Sequence, residues 1–83
     1  MEIIKEKFRA RGDDGTDYYT SSCTFDTPDE VKEQIQQQHW DEFSSHIVIT
    51  KCTMTVNGTI KLISEEIEEV IKGSPKVFKN MLQ

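Results

Sequence analysis

The sequence is poor in apolar residues and in basic charge, and each shortage excludes something. Hydrophobic residues make up 35% of the 83 residues, and no apolar run approaches the ~18 residues that a membrane-spanning helix needs. The core of the folded chain must therefore be thin. The net charge is −5 at pH 7, which argues against a general polyanion binder because such domains are usually basic.

Motifs for catalysis and metal binding are also lacking. The chain has no Gly-rich phosphate loop, no GxSxG and no HExxH. Cys23 and Cys52 form no CxxC or CxxH pair, so neither a disulfide framework nor a zinc knuckle is indicated. A zinc site that adds His39 and His46 is disfavoured, because both cysteines are predicted to point inward as small hydrophobes. We therefore expect no enzyme, no metal and no cofactor.

The amino-terminal sequence and the length favour a single domain, residues 1–83, in the cytoplasm. "MEIIKEKF" lacks the long apolar run of a signal peptide, and the two thiols are expected to be reduced. The composition, rich in Lys, Ile, Glu and Thr, suits a protein of a bacterium or its phage.

Residues 2–11 alternate in polarity, which is typical of a strand. One face is mostly apolar and the other mostly basic: Ile4, Glu6, Phe8 and Ala10 on the first; Ile3, Lys5, Lys7, Arg9 and Arg11 on the second. "GDDGTD" follows with strong turn chemistry, and "YYTSSCTF" resumes as a β-rich run with Tyr19, Cys23 and Phe25 on one face. The chain therefore begins with a predicted hairpin.

The segment "TPDEVKEQI" carries the signals of a helix start. Thr27 is the predicted N-cap, Pro28 takes the first helical position and Glu30 completes a capping box. Val31 and Ile35, four residues apart, mark the buried stripe. The helix is expected to stop around "HWDEFSSH", which leaves two aromatic residues in a loop or a frayed last turn.

The segment "HIVITKCTMTVNGTIKLI" predicts a second hairpin that turns at Asn57-Gly58. Of two loop lengths, the three-residue loop is favoured because it sets Met54 opposite Ile60 and Cys52 opposite Leu62, so that like faces like. Residues 64–72 then predict a helix capped by Ser64, with Ile67, Val70 and Ile71 as its stripe and Gly73 as its end. Ser74-Pro75 begins a short terminal helix.

These elements predict an α+β fold. Two β-hairpins form a four-stranded antiparallel sheet, and the helices pack on one face in the order ββα–ββα–α.

The basic row of Lys5, Lys7, Arg9 and Arg11 is the sharpest functional hint. Four cations on one strand face could follow phosphates, with a tyrosine of the next strand for stacking. The favoured alternative is a face that keeps the protein soluble, neutralised by the acidic loop and helix start that follow. Nucleic-acid binding through this strand is the alternative function.

Two motifs in the first turn are interpreted as structural. Arg11-Gly12-Asp13 matters for adhesion only on a secreted protein, so we expect a turn that happens to have this sequence. Asp13, Asp14 and Asp17 lack the spacing and the distal Glu of a calcium loop, so a polar turn is favoured there too.

The best contact candidates are large apolar residues of the central loop and the carboxyl terminus. They are Trp40, Phe43, Val77, Phe78, Met81 and Leu82. We expect a small acidic protein without enzymatic activity that binds another macromolecule, most simply a protein, as an inhibitor or adaptor. A homodimer through an edge strand or the terminal helix is a further expectation, because the core is thin. Small-ligand binding at a dimer seam is a second alternative, and no membrane partner is expected.

Overall fold

The computed structural model describes residues 3–57 and 59–79, with side chains for all of them except Asn57 and Thr59. Within these ranges there are four strands, two helices and one 3₁₀ turn: β1 (Ile3–Asp13), β2 (Tyr18–Thr20), α1 (Pro28–Gln37), α2 (Trp40–Phe43), β3 (His46–Asn57), β4 (Thr59–Lys72) and the 3₁₀ turn (Pro75–Phe78).

The strands form one antiparallel sheet in the order β2-β1-β3-β4. β1 pairs with β3 over its whole length, from Ile3 opposite Val56 to Asp13 opposite His46. The first hairpin is present, but β2 is shorter than predicted and continues only as an isolated bridge between Phe25 and Phe8. The structure therefore confirms a small α+β fold with a four-stranded antiparallel sheet.

Helix α1 begins as its capping signals predict. The Thr27 hydroxyl accepts a hydrogen bond from the Glu30 backbone N–H at 3.3 Å, and Val31 and Ile35 are buried. The helical path breaks at His39, whose φ of 56° is left-handed, and α2 begins at the next residue. The segment in which the first helix was predicted to stop therefore contains a short second helix, α2.

The main core lies between this helical layer and one face of the sheet. Trp40 packs against Tyr19 in an edge-to-face arrangement, with the ring centroids 5.4 Å apart. Gly12 permits this contact, because a Cβ there would meet the Tyr19 ring and would lie 3.1 Å from the Trp40 ring. The buried cluster comprises Ala10, Val31, Ile35, Trp40, Ile47 and Ile49.

The helix predicted for residues 64–72 is wrong, because these residues continue strand β4. The pairing of β4 with β3 shifts register three times. At each shift, two successive residues of β3 pair with β4 residues that are two positions apart, so that one residue of β4 has no partner in β3. The extra residues are Ile63, Glu68 and Ile71, since they are the ones skipped in the pairing. Strand β4 therefore carries three bulges, which bend an edge strand and increase its twist.

The predicted register of the second hairpin is also wrong. Met54 lies opposite Leu62 and Val56 lies opposite Ile60, two residues away from the prediction. Apolar residues face apolar residues at these two pairs, but Cys52, which was predicted opposite Leu62, lies opposite Glu65, so like does not face like at every pair. Gly58, in the predicted turn, lies outside the described residues.

The 3₁₀ turn lies on the sheet face opposite the helices, so the prediction of all helical elements on one face is wrong. Successive residues of a strand point to opposite faces, and Tyr19 packs on Trp40 while Tyr18 packs on Phe78 with ring centroids 6.2 Å apart. Phe78 is fully buried there. We name this side of the sheet the open face. The predicted terminal helix is a 3₁₀ turn as far as it is described, and Met81 and Leu82 lie outside the described residues.

Candidate interaction surface

The open face divides into rows of directly opposed side chains, set by the strand pairing. In the two rows farthest from the 3₁₀ turn, Ile3 opposes Val56 and Lys5 opposes Met54. Strand β4 completes these rows with Ile60 and Leu62. Directly opposed side chains lie about 4.5–5.5 Å apart, so the six are contiguous. We name the five apolar members the distal patch: Ile3, Met54, Val56, Ile60 and Leu62.

The distal patch is unusually exposed for aliphatic side chains. Ile60 is 69% exposed, Ile3 53% and Leu62 44%, while Met54 and Val56 are half-buried. The 3₁₀ turn covers only the other end of the face, near Tyr18 and His46. Within the described residues, then, one end of the open face has a cover and the other does not.

Lys5 lies at the β1 edge of this apolar surface, opposite Met54 and on the same face as Ile3. Its side chain is exposed, and no carboxylate of residues 3–57 and 59–79 is within salt-bridge distance of it. The next cation on the strand, Lys7, is different because it forms an ion pair with Asp26.

Arg9 and Arg11 form a buried cluster with Glu65 at the centre of the open face. Each guanidinium donates two hydrogen bonds to the Glu65 carboxylate, at 2.6 and 2.9 Å from Arg9 and at 2.6 and 2.8 Å from Arg11. The Thr50 hydroxyl donates a fifth, at 2.5 Å. The Glu65 side chain is only 4% exposed, so this carboxylate is almost completely removed from water.

The pKa of Glu65 reflects two opposing effects. Burial raises it, because a carboxylate is less stable away from water, but the hydrogen bonds from Arg11, Arg9 and Thr50 outweigh burial. The pKa of Glu65 is therefore held well below its ordinary value. The same contacts raise the pKa of Arg9. The cluster is thus ionised throughout the physiological pH range.

The four cations of the predicted basic row therefore differ in whether they have an acidic partner. Arg9, Arg11 and Lys7 are paired internally with Glu65 and Asp26, and Lys5 alone of the four has no such pair among the described residues. Glu65 was missed as a partner because its segment was predicted to be a helix. The members of the distal patch were visible in the sequence, but Ile3 was assigned to the basic face, and Met54, Ile60 and Leu62 were used only to choose the hairpin register.

The first-turn motifs occupy different structures. Arg11-Gly12-Asp13 lies inside β1, not in a turn, and both Gly12 and Asp13 are buried. The turn itself is formed by Asp14, whose carboxylate accepts hydrogen bonds from the backbone N–H groups of Thr16 and Asp17 at 2.8 Å each. These bonds lower the pKa of Asp14. The tripeptide is thus not presented as an adhesion loop.

The cysteines and histidines are dispersed. Cys52 is buried on the open face, whereas Cys23 is exposed, so the prediction that both point inward is wrong for Cys23. His46 accepts a hydrogen bond at Nδ1 from the Ser74 backbone N–H, at 2.8 Å. No group of three or more residues able to hold a metal occurs within the described ranges.

The two thiols are expected to differ sharply in reactivity. Burial raises the pKa of the Cys52 thiol, and the nearby Glu65 carboxylate raises it further, so little reactive thiolate forms. With Ellman's reagent at pH 8, we expect one thiol per native chain to react rapidly and the second to react only after denaturation. The Cys23→Ser variant should show no fast thiol. Two fast thiols in the native protein would contradict the burial of Cys52.

The predicted contact residues differ in exposure. Trp40 and Phe78 are buried, Val77 is half-buried and Phe43 is 50% exposed. Trp40 and Phe78 lie on opposite faces of the sheet, so the described members of the set do not form one surface. Whether any of them contacts a partner stays a prediction.

Within residues 3–57 and 59–79 no pocket is found, and no helix there could span a membrane. Compared with protein-family models, curated proteins and solved structures, the chain matches none. The function must therefore be argued from the surface itself.

Proposed function

We propose that this protein acts without catalysis, by binding another protein through the distal patch, as an inhibitor or adaptor. The observation that carries the proposal is the exposure of contiguous aliphatic side chains on a hydrogen-bonded sheet. Contiguous exposed apolar surface on a folded domain commonly marks an interaction site.

The physical case rests on what docking would remove from water. Fully burying one exposed Ile or Leu side chain is worth about 1.5–3 kcal/mol. Ile3, Ile60 and Leu62 are neighbours held by two strand pairings, so a partner could cover all three without reordering the backbone. Low ordering cost is what allows a small surface to bind with useful affinity.

Ile3 and Ile4 provide a matched test of this surface. They are adjacent and both exposed, but only Ile3 is on the open face. In affinity capture from a nuclease-treated lysate, one stoichiometric protein should be retained by wild type and by Ile4→Ser. Ile3→Ser and Leu62→Ser should each weaken its retention by about tenfold, the size of a moderate hot spot.

Circular dichroism and thermal melting should show that all three variants remain folded. Equal loss with Ile3→Ser and Ile4→Ser would contradict a face-specific site. Retention that disappears on nuclease treatment would favour nucleic-acid binding instead.

A further inference from the structure

We infer that the partner segment that covers the distal patch combines aliphatic side chains with a carboxylate that pairs with Lys5. This inference rests on the proposed function, because it specifies the chemistry of the partner at the same surface.

The position of Lys5 supports the inference. It lies directly opposite Met54, in the same row as Leu62 and on the same face as Ile3. A partner segment that covers Ile3 and Met54 and reaches the β1 edge brings its own groups next to the Lys5 ammonium. A carboxylate at that position forms a charge-assisted hydrogen bond with the ammonium, whereas a cation there is repelled.

No carboxylate of the described residues forms a salt bridge with Lys5, although the charge of Lys5 helps, after that of Lys7, to lower the pKa of Asp26. Glu65 is the nearest acidic residue on the same face of β4, one row away, and its oxygens already accept hydrogen bonds from both arginines and Thr50. Asp26 is paired with Lys7. Of the four cations in the basic row, Lys5 is therefore the one left to a partner.

A second copy of the chain fits this surface poorly. Face-to-face pairing of two distal patches would bring two Lys5 ammonium groups to one apolar contact, and the patch itself contains no carboxylate. Nucleic acid also fits poorly, since the side chains around Lys5 are aliphatic and offer no aromatic ring on which a base could stack. An acidic, aliphatic protein segment satisfies both the charge and the apolar surface.

Peptide display tests this directly. Random dodecapeptides on phage are selected on the wild-type protein, with counter-selection on Leu62→Ser. The enriched peptides should be rich in Leu, Ile and Val and carry net negative charge. Synthetic representatives should bind Lys5→Glu about tenfold more weakly than wild type, and replacing the acidic peptide residue by Lys should restore binding to Lys5→Glu.

Lys61→Glu is the matched control. Lys61 opposes Thr55 on the other face of the same end of the sheet, and its substitution changes the net charge equally. Binding of the peptides to Lys61→Glu should stay within about twofold of wild type. Equal weakening by the two substitutions, or enriched peptides without acidic bias, would overturn the inference.

The remaining outcomes separate this inference from the proposed function. Peptides that depend on Leu62 but not on Lys5 would overturn the inference and leave the proposed function standing. Absence of any patch-dependent peptide would overturn the inference, while the lysate capture with Ile3→Ser and Ile4→Ser would judge the function separately. A dimer in sedimentation that Leu62→Ser abolishes, or a labelled oligonucleotide released by Lys5→Glu, would replace the acidic segment with that occupant.

Discussion

Glu65→Ala is expected to lower the free energy of unfolding by about 3–5 kcal/mol, the cost of removing one partner from a buried ion pair. The substitution leaves two guanidinium groups without their carboxylate, and the Arg11 side chain is only 13% exposed. It also removes the nearer acceptor of the Thr50 hydroxyl and leaves the Arg9 carbonyl oxygen at 3.3 Å. For a domain with a total stability of about 5–15 kcal/mol, this loss is large.

Glu66→Ala is the control for this prediction. Glu66 is the adjacent residue, and its side chain, whose carboxylate is 3.1 Å from Lys51, is 63% exposed, so its loss should cost much less than that of Glu65. Urea unfolding followed by circular dichroism measures both. Similar values for the two variants would contradict the buried cluster.

The pH dependence of stability offers a second measurement on Glu65. Because its pKa is lower in the folded chain than its ordinary value of 4.5, ionised Glu65 stabilises the fold above that pH. The contribution is lost as the pH falls toward the folded pKa. We therefore expect the stability gap between wild type and Glu65→Gln to be constant near pH 7 and to narrow steadily below pH ~4.5. A gap that widens in acid would show that the carboxylate is not stabilised by the arginines.

Trp40→Ala is expected to destabilise the protein by about 3–5 kcal/mol, as for other buried aromatic residues. The indole is 5% exposed and packs against Tyr19. It also lies over Gly12, which has no side chain that could fill the space left by the indole. Its Nε1–H donates a hydrogen bond to the Gln38 side chain at 2.9 Å. The substitution therefore creates a cavity between helix and sheet.

Phe43→Ala is the control for this prediction, because Phe43 belongs to the same aromatic group but lies at the surface. Phe43 touches the same aromatic group, with its ring centroid 5.6 Å from Tyr19, but it is half exposed and should cost only about 1 kcal/mol. Thermal unfolding measures both variants. If Trp40→Ala melted close to wild type, Trp40 would have to be reassigned from the core to a surface role.

The elements that the sequence predicts well are those with one unbroken signal. Strand β1 alternates in polarity except at Ile3 and Glu6, and α1 has its cap, its proline and its stripe in place. Strand β4 was mistaken for a helix for a physical reason. Its open-face residues are Ile60, Leu62, Glu65, Ile67 and Val70, whose spacing alternates between two and three because the bulges insert residues. That spacing puts Ile67, Val70 and Ile71 at helical intervals, among glutamates that favour helices.

The candidate surface could be predicted only in part. Alternation shows that Ile3 and Lys5 share a face, but it cannot show which part of that face the chain covers elsewhere. Coverage depends on where the 3₁₀ turn folds back, a contact between Tyr18 and Phe78 that is distant in sequence. The pairing of Arg9 and Arg11 with Glu65 likewise depends on a strand register across more than fifty residues, which local patterns do not encode.

The three bulges of β4 affect how this protein behaves in a concentrated solution. An exposed edge strand rich in Ile and Val would ordinarily act as a template on which further chains stack into fibrils. Ile63, Glu68 and Ile71 interrupt the regular spacing of backbone donors and acceptors, so a straight strand from a neighbouring molecule cannot form a continuous ladder along this edge. The protein can thus expose aliphatic side chains on the face of its sheet while its irregular edge resists fibril growth.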